Sequence, residues 1–153
     1  MKIREARADE WQIIQDLNRY VFLNDADNDP DMDLNWPFSA EAITYYKKLA
    51  SGDYGHCLLA EADSKVLGYI ALAVNKNFSY RKSKYIEIEN IGVLPEFRSK
   101  GIGKKLFTAA KEWAKEQKAD RFYVNAYWGN KGAIKFYKDC GFKEMGVMFD
   151  MDI

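Results

Sequence analysis

Residues 91–103 run from the apolar, strand-like Ile91, Gly92, Val93 and Leu94 through Pro95 into a basic loop of Arg98, Ser99, Lys100, Gly101, Ile102 and Gly103, where a helical pattern begins. A helix N-terminus offers unpaired N–H groups and the positive end of the helix dipole, and both favour a bound phosphate. Gly101 and Gly103 remove side chains that would hold a bulky anion away from those amides. The plain alternative is a strand-to-helix turn that uses glycine only for geometry. Two better-known phosphate loops fail on spacing. A Walker A loop in the register of Gly103-Lys104 has Arg98 at its first glycine and Lys105 in place of the hydroxyl. A dinucleotide fingerprint has Leu106 where its third glycine belongs.

A second group lies downstream. Asn130 stands where a side-chain amide can cap a helix or reach a ligand. Ala133 and Tyr137 follow at three and seven residues, which puts all three on one helical face. A phenol there can protonate a leaving group, or it can simply pack against a sheet. Glu87 and Glu89 share the parity of Ile91 and Val93, so a regular strand turns all four to one face, and a bulge would shift that register. Asp25, Asp27, Asp29, Asp31 and Asp33 alternate as in a calcium loop. Pro30 and Trp36 occupy the positions that need glycine and glutamate, which excludes that reading. No metal site is expected.

The elements that must position these residues follow from periodicity. Residues 2–7 read as a strand and 9–23 as a helix. The acidic loop 24–37 leads to a helix capped by Ser39, with Ile43, Tyr46 and Leu49 on one side. Residues 56–62 and 66–74 read as a hairpin turning at Asp63 and Ser64, with apolar surface from Leu58, Leu59, Leu67, Ile70, Leu72 and Val74. A polar stretch over 76–84 precedes a strand over 85–94. A helix over about 101–117, a strand over 121–127 and a helix over 130–139 ending at Gly141 follow. The tail 142–153 alternates loosely and is expected to return as a last strand. The pattern is mixed α/β, read as a single domain over 1–153.

Composition narrows the class. The chain has 153 residues, 15% of them aromatic, and its 23 basic and 23 acidic residues cancel, which gives no support for a nucleic-acid or membrane surface. No apolar run approaches membrane-spanning length, and the N-terminus lacks the apolar core of a signal peptide. Cys57 and Cys140 form neither a metal-ligand spacing nor a disulfide framework, which fits a reducing, cytoplasmic setting.

The two motifs together resemble the GNAT family of acyl-CoA-dependent N-acetyltransferases. Residues 93–103 are similar to its Arg/Gln-x-x-Gly-x-Gly/Ala pyrophosphate loop, and residues 130–142 to its Asn-x-x-Ala-x-x-Phe-Tyr-x-x-x-Gly-Phe signature. The resemblance implies a mixed, mostly antiparallel sheet that splays at an acyl-CoA site between flanking helices. It implies acetyl-CoA as co-substrate, with its pyrophosphate on the backbone amides of Arg98, Ser99, Lys100, Gly101, Ile102, Gly103 and Lys104. The side chains of Arg98, Lys100, Lys104 and Lys105 either add charge near the phosphates or are simply solvated. The strand bearing Ile91 and Val93 would pair with the pantetheine amides. Tyr137 matches the family's general acid, and the Val93 N–H would polarise the thioester carbonyl. Glu87 matches one family placement of a base, and Glu89 is the other candidate. Asn125 stands where some relatives carry a glutamate, which closes that route.

The implied reaction is direct transfer of acetyl to a primary amine in a ternary complex. The five aspartates are either a solvated loop or an acidic wall for a cationic small molecule, whose ammonium Trp36 could hold. A peptide or protein amine is an alternative acceptor, and a non-catalytic acyl-CoA sensor an alternative role. The aromatic surplus allows a homodimer.

Overall fold

Capping side chains and glycines mark most of the helix boundaries in the computed structural model, which describes residues 1–74 and 79–153. The strand Lys2–Glu5 (β1) is followed by a short turn and the helix Trp11–Asp25 (α1). Ser39 Oγ accepts a hydrogen bond from the Ala42 amide at 3.1 Å and starts the helix Ala40–Ser51 (α2), which stops at Gly52 in the left-handed region. The hairpin His56–Ala62 (β2) and Lys65–Val74 (β3) turns where expected, at Asp63 and Ser64, both with positive φ. The strand Tyr85–Val93 (β4), the helix Ile102–Glu116 (α3), the strand Arg121–Tyr123 (β5) and the helix Lys131–Asp139 (α4) complete the order. The polar stretch expected over 76–84 lies partly outside the described residues.

The strands form one sheet in the order β1-β2-β3-β4-β5, antiparallel except for the parallel β4–β5 pair. Each face carries its own core. On one, α3 lays Ile102, Leu106, Phe107 and Ala110 against Leu58, Ile70, Leu72, Ile86 and Ile88. On the other, Ile14 and Leu17 of α1 and Tyr46 and Leu49 of α2 cover Leu59, Tyr69 and Ala71. Asn18, wholly buried in this second core, donates to the Tyr69 hydroxyl at 2.8 Å and accepts from Tyr46 at 2.6 Å. The network spares a buried amide its desolvation cost and fixes α1 against α2 and the sheet.

Three expectations need correction. The strand expected over 121–127 pairs only at Arg121–Tyr123, because β5 parts from β4 beyond Glu87. Val74 adds little to the core, being more than a third exposed at the end of β3. The tail 142–153 forms no strand, despite its alternation. An extended segment without a ladder partner leaves its backbone groups to water and gains little from the pattern of its side chains.

Candidate active site

β4 and β5 pair only at Tyr85↔Arg121, Ile86↔Phe122 and Glu87↔Tyr123, and then separate. Beyond that point, β4 keeps β3 on one side and faces open space on the other. The Leu94 N–H returns to the Leu67 carbonyl at 2.9 Å, so strand alternation turns the N–H and C=O of Val93 away from β3, into the opening. The Val93 carbonyl accepts from Arg98 Nε at 3.1 Å, and Arg98 Nη1 reaches Asn24 Oδ1 at 3.1 Å. A cavity of about 980 Å³ fills the splay. That is at the upper end of the size range for small-molecule and cofactor sites.

The loop before α3 adopts positive φ at Ser99 and Gly101. The two glycines do different work. A Cβ on Gly101 would meet nothing within 4 Å, so its role is the left-handed backbone that leads into α3. A Cβ on Gly103 would lie 3.2 Å from the Phe136 ring, so its role is the close approach of α4 to α3. Ser99, Gly101, Ile102, Gly103 and Lys104 line the cavity, as do Ile91, Val93 and Arg98. Lys100 does not. Its Nζ sits 5.1 Å over the Phe97 ring.

Asn130 Oδ1 accepts from the Ala133 amide at 3.0 Å and caps α4 as expected. Its Nδ2 donates to Asp25 Oδ1 at 2.7 Å, an interaction that sequence spacing gave no sign of. Asn130, Ala133 and Tyr137 all line the cavity. Burial pushes the Tyr137 phenol well above its ordinary value, and the nearby Asp25 and Cys140 act in the same direction. The group therefore stays protonated and able to donate.

The parity expected for β4 is broken. Ala71 pairs with Asn90 and Leu72 with Ile88, so Glu89 is the extra residue of a bulge. Ile91, opposite Ile70, faces the α3 core with Val93, whereas Glu87, opposite Ala73, and Glu89 face the α1–α2 side. Glu89 lines the cavity, and Glu87 does not. Tyr45 donates to Glu89 Oε2 at 2.8 Å and Tyr54 donates to Oε1. The Glu87 carboxyl is raised above its ordinary value, first by burial and then by the charge of Glu89.

The acidic loop divides in the same way. Asp31 and Asp33 are exposed, and Asp29 and Asp33 accept from the backbone amides of Asp31 and Asn35 in the manner of ordinary turns. Asp25 lines the cavity, while Asp29 Oδ2 accepts from the Tyr127 hydroxyl at 2.6 Å. Gly129 has no room for a Cβ, which would lie 2.0 Å from Asn28 Oδ1. The segment after α1 is thus a strap that reaches across to the β5–α4 connection. Trp36, which also lines the cavity, stacks on Phe22 at 5.6 Å with an interplanar angle of 3°. Among the described residues no group of acidic, histidine or cysteine side chains could hold a metal ion, and no helix is long and apolar enough to cross a membrane.

A mostly antiparallel sheet that parts beside a glycine-bearing helix start, with an asparagine-capped helix closing the gap, is the architecture of the N-acetyltransferase fold. Residues 12–142 match the sequence model of the acetyltransferase (GNAT) family, and the chain belongs to that family. It is 39% identical over 106 residues to an uncharacterized N-acetyltransferase of Methanocaldococcus jannaschii, a match that takes in 68% of this chain and 46% of that protein. The chain spans about half the length of the curated relatives it matches first. Among solved structures it is similar to the BH1408 protein of Bacillus halodurans, crystallised as a tetramutant, with a TM-score of 0.86, 20% identity and all of both chains covered. It is also similar to AAC(6')-Iy in complex with the bisubstrate analog CoA-S-monomethyl-acetylneamine, with a TM-score of 0.78, 20% identity, and 99% of this chain and 97% of that one covered.

Proposed function

We propose that the 153 residues act as one N-acetyltransferase domain that moves an acetyl group from acetyl-CoA to a primary amine of a cationic small molecule, by direct transfer with both substrates bound. The observation that carries this reading is the cavity in the β4–β5 splay, where the turned-out backbone of Val93, the start of α3 and the face bearing Asn130 and Tyr137 meet. Acetyl-CoA supplies an activated thioester. The residues fit its shape and charge: amides at the start of α3 for the pyrophosphate, and unpaired β4 backbone for the pantetheine.

The amine must first lose a proton, because an ammonium with a pKa of about 10.4 is not a nucleophile. Glu89, at the cavity wall and steadied by two phenols, is the group proposed to accept that proton directly or through water. Glu87, behind the wall, acts on it electrostatically. The amine nitrogen then attacks the carbonyl carbon, and the oxyanion finds the Val93 N–H. The attack forms the C–N bond; collapse then restores the C=O bond, breaks the C–S bond and leaves a thiolate, which takes the Tyr137 proton. The phenolate recovers a proton from the attacking nitrogen. The products are an amide and a free thiol, with one proton released.

The charge of Asp25 at the cavity supports a cationic acceptor. The test is release of coenzyme A from acetyl-CoA against a panel of polyamines, aminoglycosides and peptide N-termini, with Tyr137→Phe alongside. Turnover on the cationic small molecules that collapses in the variant is expected. Tight acetyl-CoA binding with no turnover on any amine would defeat the proposal.

A further inference from the structure

The equal numbers of basic and acidic residues hide a division. Residues 9–53, which form α1, the strap and α2, hold three basic and ten acidic side chains, a net charge of −7. Residues 98–144, from the glycine-bearing loop to just past α4, hold twelve basic and five acidic ones, a net charge of +7. The sheet stands between the helices of the two sets. α1 and α2 pack on one face, and α3 packs on the other together with Phe136 and Tyr137 of α4. The cavity opens where the two fields meet, with Asp25 on one wall and Arg98 and Lys104 on the other.

The positive set is larger than the cavity alone accounts for. Arg98, Lys104 and Lys135 line it, and the other nine cations do not. All nine are exposed. Three of the five acids sit in exposed pairs, Glu112 with Lys115 at 2.9 Å, Asp139 with Lys135 at 2.6 Å and Glu144 with Lys138 at 2.7 Å, and the excess remains unneutralised at range. A surface kept only for solubility intersperses its signs, whereas a large field of one sign acts on ligands before they touch. The pyrophosphate and phosphate monoester of acetyl-CoA carry about four negative charges. α3 turns the positive end of its dipole to the cavity, and its 15 residues span ~22 Å, with Lys115 and Lys118 at the far end. The screening length is ~30 Å at 10 mM salt, so those charges still reach a ligand approaching the start of the helix.

We infer that the α3–α4 face is a collecting surface for acetyl-CoA, on which remote cations such as Lys115 and Lys118 steer the anion to the cavity while the acidic α1–α2 side turns it away. The inference rests on acetyl-CoA as co-substrate and on nothing about the acceptor or the base. Stopped-flow tryptophan fluorescence tests it, with Trp36 in the cavity wall as reporter and acetyl-CoA as the probe. The association rate should fall steeply as salt is raised from ~10 mM to ~1 M, where the screening length is ~3 Å. Lys115→Glu with Lys118→Glu should slow association about 3- to 10-fold at 10 mM salt and leave dissociation unchanged. Lys47→Glu with Lys48→Glu makes the same change in net charge on α2, across the sheet, and should slow it by about 2-fold or less. Glu112→Lys with Glu116→Lys should speed association, which no damaged fold would imitate. Rates that ignore salt, equal slowing by the two lysine pairs, no gain from the glutamate pair, or changes confined to dissociation would each overturn the steering and leave the transferase reading standing. No acetyl-CoA binding at any salt would overturn both.

Discussion

The two walls of the cavity are built on different principles. The wall formed by the end of β4 and the start of α3 is held by backbone geometry: a positive φ at Gly101, an alternation that turns Val93 outward, and the close approach of Phe136 to Gly103. The opposite wall, the end of α1 and the strap that follows it, is held by side chains meeting across the chain: Asp25 with Asn130, Asp29 with Tyr127, and Asn24 with Arg98. A backbone wall presents the same donors whatever side chains it carries, which suits a co-substrate whose phosphates and amides never change. A wall of side chains can be altered one residue at a time, which suits an acceptor that differs between relatives. The difference predicts that substitutions on the first wall act on acetyl-CoA and those on the second on the amine.

Tyr137 belongs to neither wall alone, and its removal should have the largest effect. Tyr137→Phe keeps the packing against Phe136 and Phe142 and removes only the proton donor. We expect kcat to fall by about 10²–10⁴-fold with the acetyl-CoA KM nearly unchanged. A variant within ~3-fold of wild type would make the phenol a packing residue. Gly101→Ala comes next. The added Cβ meets open space, so its penalty is conformational, ~1–2 kcal/mol for a left-handed non-glycine residue. Up to about tenfold in the acetyl-CoA KM should follow, with the amine KM unmoved. A shift in both constants would erase the division between the walls.

That division also marks what could be read from the residues in order. The loop 98–103 and the helix face of Asn130, Ala133 and Tyr137 are local patterns, and local patterns survive folding. The bulge at Glu89 is not local, because it exists only in the pairing of β4 with β3, so the shared parity of Glu87 and Val93 was an illusion of regular spacing. Asp25 and Asn130 are far apart in the chain, and nothing in their types announces a contact. Gly103 illustrates a subtler gap: its presence in the loop was legible, but its reason, the Phe136 ring, was not. The tail is a further instance. Its alternation reads as a strand, yet the folded chain forms none there, because side-chain periodicity does not by itself supply a ladder partner.

The strap can be sharpened with a charge-only change. Asp25→Asn keeps an oxygen for the Asn130 amide and removes the anion at the cavity. For a polyamine acceptor the amine KM should rise by roughly 5-fold, the size of ~1 kcal/mol. The paired change Asp31→Asn with Asp33→Asn, on exposed turn residues, should move it less than about 2-fold, because water and salt already screen those charges. Initial rates at low and high salt measure both. Equal effects from the two variants would spread the acceptor preference over the whole loop rather than locating it at the cavity.

The smallest effect tests whether the strap is held at all. The carboxylate of Asp29 pushes the Tyr127 phenol up to about 12, because the hydrogen bond favours the protonated form, with burial adding to it. A phenol raised from about 10 stabilises the fold fully below that pH and loses its contribution as the pH climbs towards 12. Tyr127→Phe removes this link and little else. For a half-exposed pair ~1 kcal/mol is reasonable, or about 2–4 °C in Tm for a domain of this size. The gap between wild type and variant should be flat from pH 7 to about pH 10 and narrow above it, as wild type alone loses the bond. Thermal melts across that range, with phenolate absorbance followed in parallel, read both quantities. A gap that ignores pH would assign the variant's loss to packing, and no gap at all would leave the strap resting on the Asp25–Asn130 contact.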